Sequence, residues 1–479
     1  MPVTRPYVPR DAMTTTALAT KPVVRPAHAS PWPVFWVASV AAFLVSLDAT
    51  MLYAAFGALR EGFPEATAAH LSWVLNAYTV VYAAALIPAG GLADTHGRKR
   101  VFLVGVTLFV AASVACGLSG NVAALIAARI VQAVGAALLT PASLSIVIAA
   151  FPQGKRALTV SMWGAVAGFA AAVGPSLGSF IIESVGWPWA FFINLPIGAW
   201  SLWRGAALLP ESQRQPTHRR IDAVGMALLI VAVGAIALAI VQADAPGWTR
   251  AELATVAATG IVALAAFVAW AMNVRDPLVD LTLFRNPTYA AANAATLTFG
   301  VAFAMMFFAF FFYMAGVWHY GIARAGIAIA PGPLTVIPVA VLTGRLAGRY
   351  GHRPFLVGGS LLYAAAGLWF LLVPGAEAAY VTHWLPGLIL SGMSVGMVLP
   401  SLAGAAVSRL PSQHYAVGSA VNQATRQIGA VIGVAVTVLL LGHGAVERAN
   451  FDSVYGIHVV LALVTAAICA FVNTRPLAR

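Results

Sequence analysis

Residues 90–100 read GGLADTHGRKR and join two apolar segments, which we place at 70–92 and 101–119. Glycine lets the ends of two helices approach each other closely, and an acidic side chain beside several cations can form charge-assisted hydrogen bonds. We therefore predict a gating loop that breaks and re-forms contacts as the protein changes conformation. The alternative is a loop that only carries positive charge on one side of a membrane. The residues of the predicted gating loop are Gly90, Asp94, Gly97 and Arg98.

The composition indicates a membrane protein. Of the 479 residues, 61% are hydrophobic and 9% are charged, whereas about 25% are charged in soluble domains. Apolar stretches of about 20 residues, enough to cross about 30 Å of hydrocarbon, recur along almost the whole chain. The cations behind the net charge of +12 lie in short loops and not on one solvated face, so we exclude nucleic acid as a partner. Cys116 and Cys469 lie in apolar runs, and we expect no disulfide, metal site or cofactor.

The apolar segments predict an all-α polytopic membrane protein with 14 transmembrane helices. Residues 1–31 are rich in Pro and Thr and lack apolar periodicity, so we predict a disordered cytoplasmic tail. The first seven helices are predicted at 32–59, 70–92, 101–119, 122–150, 157–183, 188–209 and 221–242. The second seven are predicted at 252–272, 288–316, 325–348, 354–373, 381–407, 416–441 and 454–473.

Lysine and arginine are distributed unequally between the two sides of this arrangement. Of the 27 basic residues, 21 lie on one side. Cytoplasmic loops carry the excess of these residues, so we predict that both termini are cytoplasmic and that the protein lies in the cell (inner) membrane. A missed helix in the middle of the chain would invert every later loop and remove the asymmetry, which supports an even number of spans.

Parts of the first half of the chain recur about 255 residues later. The pattern Gly-x-Leu-Ala at 90–93 returns at 344–347, and Phe-Leu-Val-Gly at 102–105 returns at 355–358. Repeats of this kind build many secondary transporters around a central site. We therefore predict two six-helix halves separated by an inserted helix pair. The predicted boundaries are 1–31 for the tail, 32–209 for the N-terminal half, 210–287 for the inserted pair with its linkers, and 288–479 for the C-terminal half.

Several of these stretches resemble a known family. Residues 90–100 are similar to the loop signature G-x-L-A-D-x-x-G-R-K of the major facilitator superfamily, and Leu-Asp-Ala-Thr at 47–50 resembles the L-D-x-T motif of its fourteen-helix drug:proton antiporters, the EmrB/QacA type. Residues 71–78 and 191–198 resemble further signatures of that branch. The resemblance extends over nearly the whole chain and implies the major facilitator fold.

Asp48 is an acidic residue deep inside a predicted helix. An ionised carboxylate costs several kcal/mol in hydrocarbon, so such a residue is usually functional and has a partner. Asp48 is placed roughly 16 Å and Arg129, on the fourth predicted helix, roughly 10 Å below the external surface, and Gln132, one turn further along, is level with Asp48. Arg129 and Gln132 resemble the R-x-x-Q motif of the family, which implies a part in proton coupling together with Asp48. A static buried ion pair is the alternative.

The fifth predicted helix carries glycines at a spacing that lets helices pack closely, and a Gly-Pro step that allows a bend. It resembles the antiporter motif of the family, which marks exporters, although ordinary tight packing would also explain the spacing. The residues of this motif are Gly164, Gly168, Gly174, Pro175 and Gly178.

Polar and aromatic residues within the predicted helices are candidates for a substrate cavity. A polar stripe on a membrane helix faces protein or water rather than lipid, although Arg426 could instead extend toward the cytoplasmic side. The candidate residues are Tyr53, Asn76, Tyr78, Tyr82, Asn194, Asn293, Tyr313, Asn422, Gln423 and Arg426.

Together these features predict a proton-coupled antiporter that exports lipophilic or amphipathic small molecules by alternating access, with the bilayer, protons and the substrate as its partners. A lipid or metabolite transporter on the same fold is the alternative, and whether a periplasmic adaptor takes part is open. An enzyme would need converging Asp, His or Cys side chains, whereas the 10 histidines are scattered. A membrane sensor would more naturally carry a folded cytoplasmic domain, and we find no loop of that length.

Overall fold

A computed structural model describes residues 30–152, 156–211, 222–243, 248–410, 415–441 and 447–474. These residues form helices joined by short connections. Almost all of the predicted tail lies outside the described residues. The first nine helices are α1 (Trp32–Gly62), α2 (Ala68–His96), α3 (Arg98–Gly117), α4 (Val122–Ala150), α5 (Arg156–Val185), α6 (Trp189–Phe192), α7 (Asn194–Leu208), α8 (Ala223–Val241) and α9 (Arg250–Asn273). A 3-10 turn (Leu281–Arg285) precedes α10 (Pro287–Gly316), α11 (Ile322–Ile329), α12 (Pro331–Tyr350) and α13 (Arg353–Leu372), and a π turn (Tyr380–Trp384) precedes α14 (Leu385–Val407), α15 (Tyr415–Leu441) and α16 (Asn450–Cys469).

In the described part of the chain, 13 helical stretches are long and apolar enough to cross a membrane. The segment predicted at 188–209 is not among them, because it is divided into α6 and α7. Pro196 lacks the N–H that would donate to the carbonyl of Phe192, so the helical hydrogen bonds are interrupted there. The 15 residues of α7 extend about 22 Å, less than the hydrocarbon thickness of about 30 Å. The backbone of Ile193, between them, stays in the right-handed helical region (φ −60°, ψ −24°).

The segment predicted at 325–348 is also divided. Its two parts, α11 and α12, meet at Ala330. Pro331 and Pro333 begin α12, and neither has a backbone N–H to continue the hydrogen bonding of α11. Proline therefore explains both breaks, the one at Ile193 between α6 and α7 and the one at Ala330 between α11 and α12.

The predicted gating loop is largely helical in the structure, which corrects that expectation. Helix α2 continues to His96 and α3 begins at Arg98, so Gly97 alone separates them. Gly97 has φ +98°, a left-handed conformation that costs a residue with a Cβ about 1–2 kcal/mol. One glycine therefore makes the whole turn.

The helices form two packed groups. In the first, α1 packs on α4, α5 and α7, and α3 packs on α4. In the second, α10 packs on α15 and α16, and α13 packs on α14 and α16. The groups meet where α2 contacts α15 and where α5 contacts α11 and α12. Helices α8 and α9 pack on each other, and α8 also contacts α2 and α15. Since only 17% of the apolar window of α9 is buried, this pair lies at the edge of the bundle.

The two groups are aligned, so the bundle has two common faces. We call the face with the start of α1 and the end of α16 the terminal face, and the opposite one the distal face. Thr474, beyond α16, accepts a 2.7 Å hydrogen bond from the backbone N–H of His352, between α12 and α13. On the distal face, Glu183 near the end of α5 accepts a 3.1 Å hydrogen bond from the backbone N–H of Ala323 in α11.

Candidate functional site

Asp48 and Arg129 form a buried ion pair. Arg129 Nη1 lies 2.6 Å from Asp48 Oδ2, and each side chain is 1% exposed. The Nε of Arg129 donates to the carbonyl oxygen of Val74 at 3.1 Å. Charges at this depth must be paired and hydrogen-bonded to be tolerated. The pairing expected from the sequence is therefore confirmed as a contact between α1 and α4.

Amide side chains complete the hydrogen bonding of the Asp48 carboxylate. Its Oδ1 accepts from Gln132 Nε2 at 2.8 Å and from Asn194 Nδ2 at 3.1 Å. Both amides also lie within hydrogen-bonding distance of Ser113 Oγ, at 2.9 Å and 3.3 Å. The Oε1 of Gln132 in turn accepts from Arg129 Nη1 at 2.5 Å. We call these five residues, from α1, α3, α4 and α7, the Asp48 centre.

Aromatic rings cover the arginine of the centre. The guanidinium carbon of Arg129 lies 4.0 Å from the ring centroid of Tyr78 and 5.8 Å from that of Phe191, and such contacts stabilise a cation. Tyr78 Oη and Asn194 Oδ1 are buried without a hydrogen-bond partner among the described residues. A buried polar atom favours any group that can pair with it. The described residues therefore leave two buried polar atoms of this region, Tyr78 Oη and Asn194 Oδ1, without a hydrogen bond.

The local sequence explains why these side chains converge. Arg129 and Gln132 are three residues apart on α4 and so share one face of the helix. Ser113 on α3 was not among the residues expected to form a site. A hydroxyl in an apolar helix usually bonds its own backbone, as this one does to the carbonyl of Phe109 at 2.9 Å. The sequence therefore gives no signal that it also contacts two amides.

The turn between α2 and α3 is held by neighbouring helices. Lys99 Nζ donates to the carbonyl of Ala206 in α7 at 2.8 Å, and Arg98 Nη1 lies 3.5 Å from the carbonyl of Ser145 in α4. The predicted gating residue Gly90 faces Pro141 of α4, which a Cβ there would approach to 3.8 Å. The side chain of Asp94 lies outside the described residues. The cations of the turn thus connect three helices.

The glycines of the predicted antiporter motif divide into two sets. A Cβ at Gly178 would lie 3.0 Å from Met51, and one at Gly174 would lie 3.3 Å from the carbonyl of Leu47, so both glycines permit close packing on α1. In contrast, a Cβ at Gly168 would have its nearest neighbour at 3.8 Å, and one at Gly164 would meet nothing within 4 Å. Only the distal part of the motif makes close contacts.

Pro175, the remaining residue of the motif, lies beside α11. Its carbonyl oxygen would be 2.5 Å from a Cβ at Gly326, and Ser176 Oγ donates to the carbonyl of Gly326 at 3.1 Å. Nearby, the ring of Phe56 on α1 packs on Phe308 of α10 at 5.8 Å between centroids. The two helical groups are therefore in contact on the distal side of the Asp48 centre.

The candidate cavity residues of the C-terminal group are mostly paired with one another. Asn422 Nδ2 donates to Asn293 Oδ1 at 3.2 Å and to Thr296 Oγ1 at 2.8 Å. Gly429 and Gly433 lie on the same face of α15 as Asn422, a face that we call the α15 stripe, and they closely approach the backbone of α10. This stripe therefore packs on α10. Gln423 and Arg426 are half-buried beside it.

The remaining candidates lie in different places. Tyr82 of α2 hydrogen bonds with Thr140 at 2.9 Å and lies near Gln423 and Arg426 of α15, so these three side chains meet where the two groups join. Tyr313 is buried in an aromatic cluster and donates to the carbonyl of Gly375 at 3.1 Å. Asn76 is buried, with its Nδ2 unpaired among the described residues. The side chain of Tyr53 lies outside the described part.

Comparison with known proteins gives consistent matches. Residues 38–434 match the family model described as Major Facilitator Superfamily. The chain is 34% identical over 396 residues to multidrug resistance protein Stp of Mycobacterium tuberculosis, covering 82% of this chain and 73% of that protein. It is 30% identical over 413 residues to the tetracenomycin C resistance and export protein of Streptomyces glaucescens, covering 86% of this chain and 76% of that protein.

A solved structure has a similar fold. The peptide transporter POT, in complex with sulfate, superposes with a TM-score of 0.64 at 18% identity, covering 91% of this chain and 94% of that one. At this identity the likeness concerns the arrangement of helices.

Proposed function

Because the chain belongs to the Major Facilitator Superfamily and is a multi-pass membrane transporter, we propose that it exports lipophilic or amphipathic compounds in exchange for protons. The observation that carries this proposal is the Asp48 centre, in which a buried carboxylate meets a buried guanidinium and two amides. An intramembrane acid of this kind is suited to binding and releasing a proton. The names of the relatives, which include resistance and export proteins, support export of drug-like substrates.

The surroundings of Arg129 allow Asp48 to change its charge. When Asp48 is ionised, the two charges compensate each other. When Asp48 takes up a proton, Arg129 keeps the carbonyl of Val74, the Oε1 of Gln132 and the ring of Tyr78 as partners. An uncompensated buried charge would otherwise be strongly destabilising. The centre therefore has two charge states that the protein can hold.

Helix α1 is the element that transmits this change. Asp48 lies on the side of α1 that meets α4, and Leu47 and Met51 meet the close-packing glycines of α5. Helix α5 in turn carries Ser176, which binds α11 of the other group. Release of Asp48 from Arg129 would shift α1 against α5 and so weaken the contact between the two groups. Alternating access requires such an element with two arrangements.

We also propose the finer topology of the fourteen-helix EmrB/QacA type. Helices α6 and α7 together supply the crossing that neither makes alone, and α8 with α9 form an inserted pair at the edge of the bundle. In this arrangement α1–α7 form one six-helix half, with α6 and α7 counted as one crossing, and α10–α16 form the other, with α11 and α12 counted as one crossing. The terminal face is cytoplasmic. The gating turn at Gly97 then lies on the cytoplasmic side.

The energy available from protons is sufficient for export. Moving one charge through 100 mV is worth about 2.3 kcal/mol, so one proton can drive a roughly fifty-fold gradient of a neutral substrate. The direct test is a panel of dyes and antibiotics in an efflux-deficient host that expresses the protein. We expect reduced accumulation of lipophilic dyes that a protonophore reverses. Unchanged accumulation of the dyes, with transport of a lipid or metabolite instead, would favour the alternative cargo.

A further inference from the structure

Helix α16 carries a buried histidine that takes no part in the Asp48 centre. His458 has no solvent exposure. Its Nδ1 lies 3.2 Å from the carbonyl oxygen of Ala302 in α10, and its Nε2 lies 3.2 Å from that of Tyr363 in α13. The ring of Tyr363 packs edge-on against the imidazole at 4.4 Å between centroids. Three helices of the C-terminal group therefore meet at this side chain.

Positions on α10, α12 and α13 can be matched to positions on α1, α2 and α3 through glycines that make equivalent contacts. Gly97 and Gly351 both have positive φ, and each directly follows the last residue of a helix, α2 and α12 respectively. The two glycines are 254 positions apart. Gly105 on α3 and Gly359 on α13, from 105 to 359, again differ by 254, and both pack against the helix that follows in the chain. A Cβ at Gly359 would meet α14 at 2.7 Å, whereas one at Gly358 would have its nearest neighbour at 3.8 Å, so the contacts set a shift of 254 for these helices, one more than the Phe-Leu-Val-Gly match alone gives.

His458 is matched to Asn194 by its contacts, although the two are 264 positions apart and the shift of 254 does not extend to α16. Asn194 contacts position 48 on α1 and position 113 on α3. His458 contacts positions 302 and 367, which are 48 and 113 each increased by 254. At the second of these, Gly367 replaces Ser113, and a Cβ there would lie 3.2 Å from His458 Nε2. The smaller residue leaves room for the larger ring.

The charged pair of the Asp48 centre has apolar counterparts in the C-terminal group. Ala302 stands in the place of Asp48. In the first group, Arg129 lies over the ring of Tyr78. In the second group, Gly332 corresponds to Tyr78, since the two are 254 positions apart, and Leu388 packs on Gly332. Leu388 therefore stands in the place of Arg129. His458 is therefore the titratable side chain at the repeat-related site.

We propose that His458 is a second proton-binding residue of the transport cycle. A neutral imidazole donates one hydrogen bond, whereas an imidazolium donates two. Both ring nitrogens of His458 face carbonyl oxygens, so the neutral ring satisfies one contact and the protonated ring satisfies both. Proton binding would thus tie α16 to α10 and α13 together.

The other ionisable residues nearby do not neutralise this charge. No carboxylate of the described residues forms an ion pair with His458. Of the ionisable side chains on the packed helices, Tyr363 contacts the ring, and Tyr455 lies one turn back on α16. The ionisable residues of α10, α13, α15 and α16 are Tyr289, Tyr313, Arg353, Tyr363, Tyr415, Arg426, Asp452, Tyr455 and Cys469. Because a buried imidazolium without a counter-ion is costly, proton binding at His458 would change the relative stability of the conformations of the transporter, which couples the proton to the conformational change.

A second proton would increase the gradient that the transporter can sustain. At 100 mV each added charge multiplies the attainable gradient of a neutral substrate about fifty-fold. This consequence rests on the proposed proton-driven export. The protonation of His458 itself does not, so the two can be tested separately.

The direct test measures the protonation state of the ring. A variant in which the nine other histidines are replaced by Gln is labelled with nitrogen-15 at histidine and placed in lipid nanodiscs, with and without ethidium. We expect the nuclear magnetic resonance signals to change from a neutral ring to a doubly protonated ring as the pH is lowered from about 8 to about 5. A ring that stays neutral under all these conditions would overturn the proposal, whether or not the protein exports ethidium.

The transport test compares proton stoichiometry in proteoliposomes, from the membrane potential at which ethidium flux reverses. His458→Gln keeps a donor and an acceptor but cannot titrate, and we expect one proton fewer per ethidium than in the wild type. Thr465→Val is the matched control, because it removes a 2.7 Å hydrogen bond between α16 and Thr298 of α10 without removing a titratable group. We expect wild-type stoichiometry for the control. Equal stoichiometry in His458→Gln and wild type would contradict a coupled proton at this residue.

Discussion

Gly174 of α5 lies directly against Thr50 of α1, two residues beyond Asp48. A Cβ at Gly174 would overlap Thr50 Oγ1, which donates to the carbonyl of Ser46 at 2.9 Å, and would lie 3.3 Å from the carbonyl of Leu47. The helix that carries Asp48 is therefore packed on the part of α5 that carries Gly174, without room for one additional carbon.

This contact predicts the effect of enlarging Gly174. Gly174→Val should force α1 and α5 apart, at a cost of about 1–3 kcal/mol, and should lower the export rate at equal protein level by tenfold or more. Gly164→Val is the matched control on the same helix, because nothing lies within 4 Å of its added Cβ. Both variants are measured by dye efflux from loaded cells. Equal loss of efflux in both would mean that the α1–α5 contact has no special importance.

The turn between α2 and α3 gives a second prediction. Gly97→Ala places a Cβ on a residue with φ +98° and against the side chain of Glu211, with a conformational cost of about 1–2 kcal/mol. We expect a lower transport rate with little change in substrate affinity, because the turn connects helices and does not line the Asp48 centre.

The control for this turn is Gly91→Ala, since that glycine is helical and a Cβ there meets nothing within 4 Å. Kinetics of dye efflux over a range of dye concentrations separate rate from affinity. A variant of Gly97 with normal maximal rate and only weaker binding would contradict a role in the conformational change.

A third prediction concerns stability against pH. His352 lies outside the membrane-spanning helices, and burial lowers the pKa of its imidazole. The ring packs against Gly404 of α14, and its Nδ1 has no partner in the described part of the chain. Because the unfolded chain binds a proton more readily than the folded one, this contribution to stability is complete above about pH 6.5 and is lost as the pH falls further.

We therefore expect the Tm of the wild type to fall between about pH 7.5 and pH 5, and to fall less in His352→Asn. The exposed His70 provides the control, because His70→Asn should leave the pH trend of the wild type unchanged. Thermal unfolding in detergent at several pH values measures this. Parallel curves for wild type and His352→Asn would rule out His352 as the source.

Much of the Asp48 centre could be predicted from the sequence. Asp48 stands out because acids are rare in membrane helices, and the spacing of Arg129 and Gln132 places them on one face of α4. Asn194 was expected to contact substrate, but it binds Asp48 directly. Ser113 could not be predicted, because its contacts depend on how α3 packs on α4 and α7, which the pattern of a single helix does not contain.

The extent of most helices followed from apolar length, and the differences occur where local chemistry overrides it. Pro196 and Pro331 divide helices that hydropathy treats as continuous, because proline removes a hydrogen bond without making a segment polar. At Gly97 the helices are longer than predicted. A single residue with positive φ makes the whole turn between α2 and α3, where the charged sequence indicated a longer loop. The pairing of Asn293 with Asn422 was missed for a similar reason: a polar stripe indicates contact with protein or water but does not distinguish them.

Asp48 is the residue proposed to carry the coupled proton, and Asp48→Asn tests this role directly. Asn keeps the size of a protonated Asp but cannot release a proton. Arg129 would keep its contacts with Val74, Gln132 and Tyr78, so we expect a folded, membrane-inserted protein. Asp452→Asn is the matched control, because Asp452 pairs with Arg448 near the surface and is 55% exposed.

The decisive measurement uses proteoliposomes with an imposed pH gradient and a fluorescent dye as substrate. Wild type and Asp452→Asn should concentrate the dye against its gradient, whereas Asp48→Asn should at most equilibrate it. Concentration of the dye by Asp48→Asn in response to the pH gradient would contradict the account and place the coupling site elsewhere.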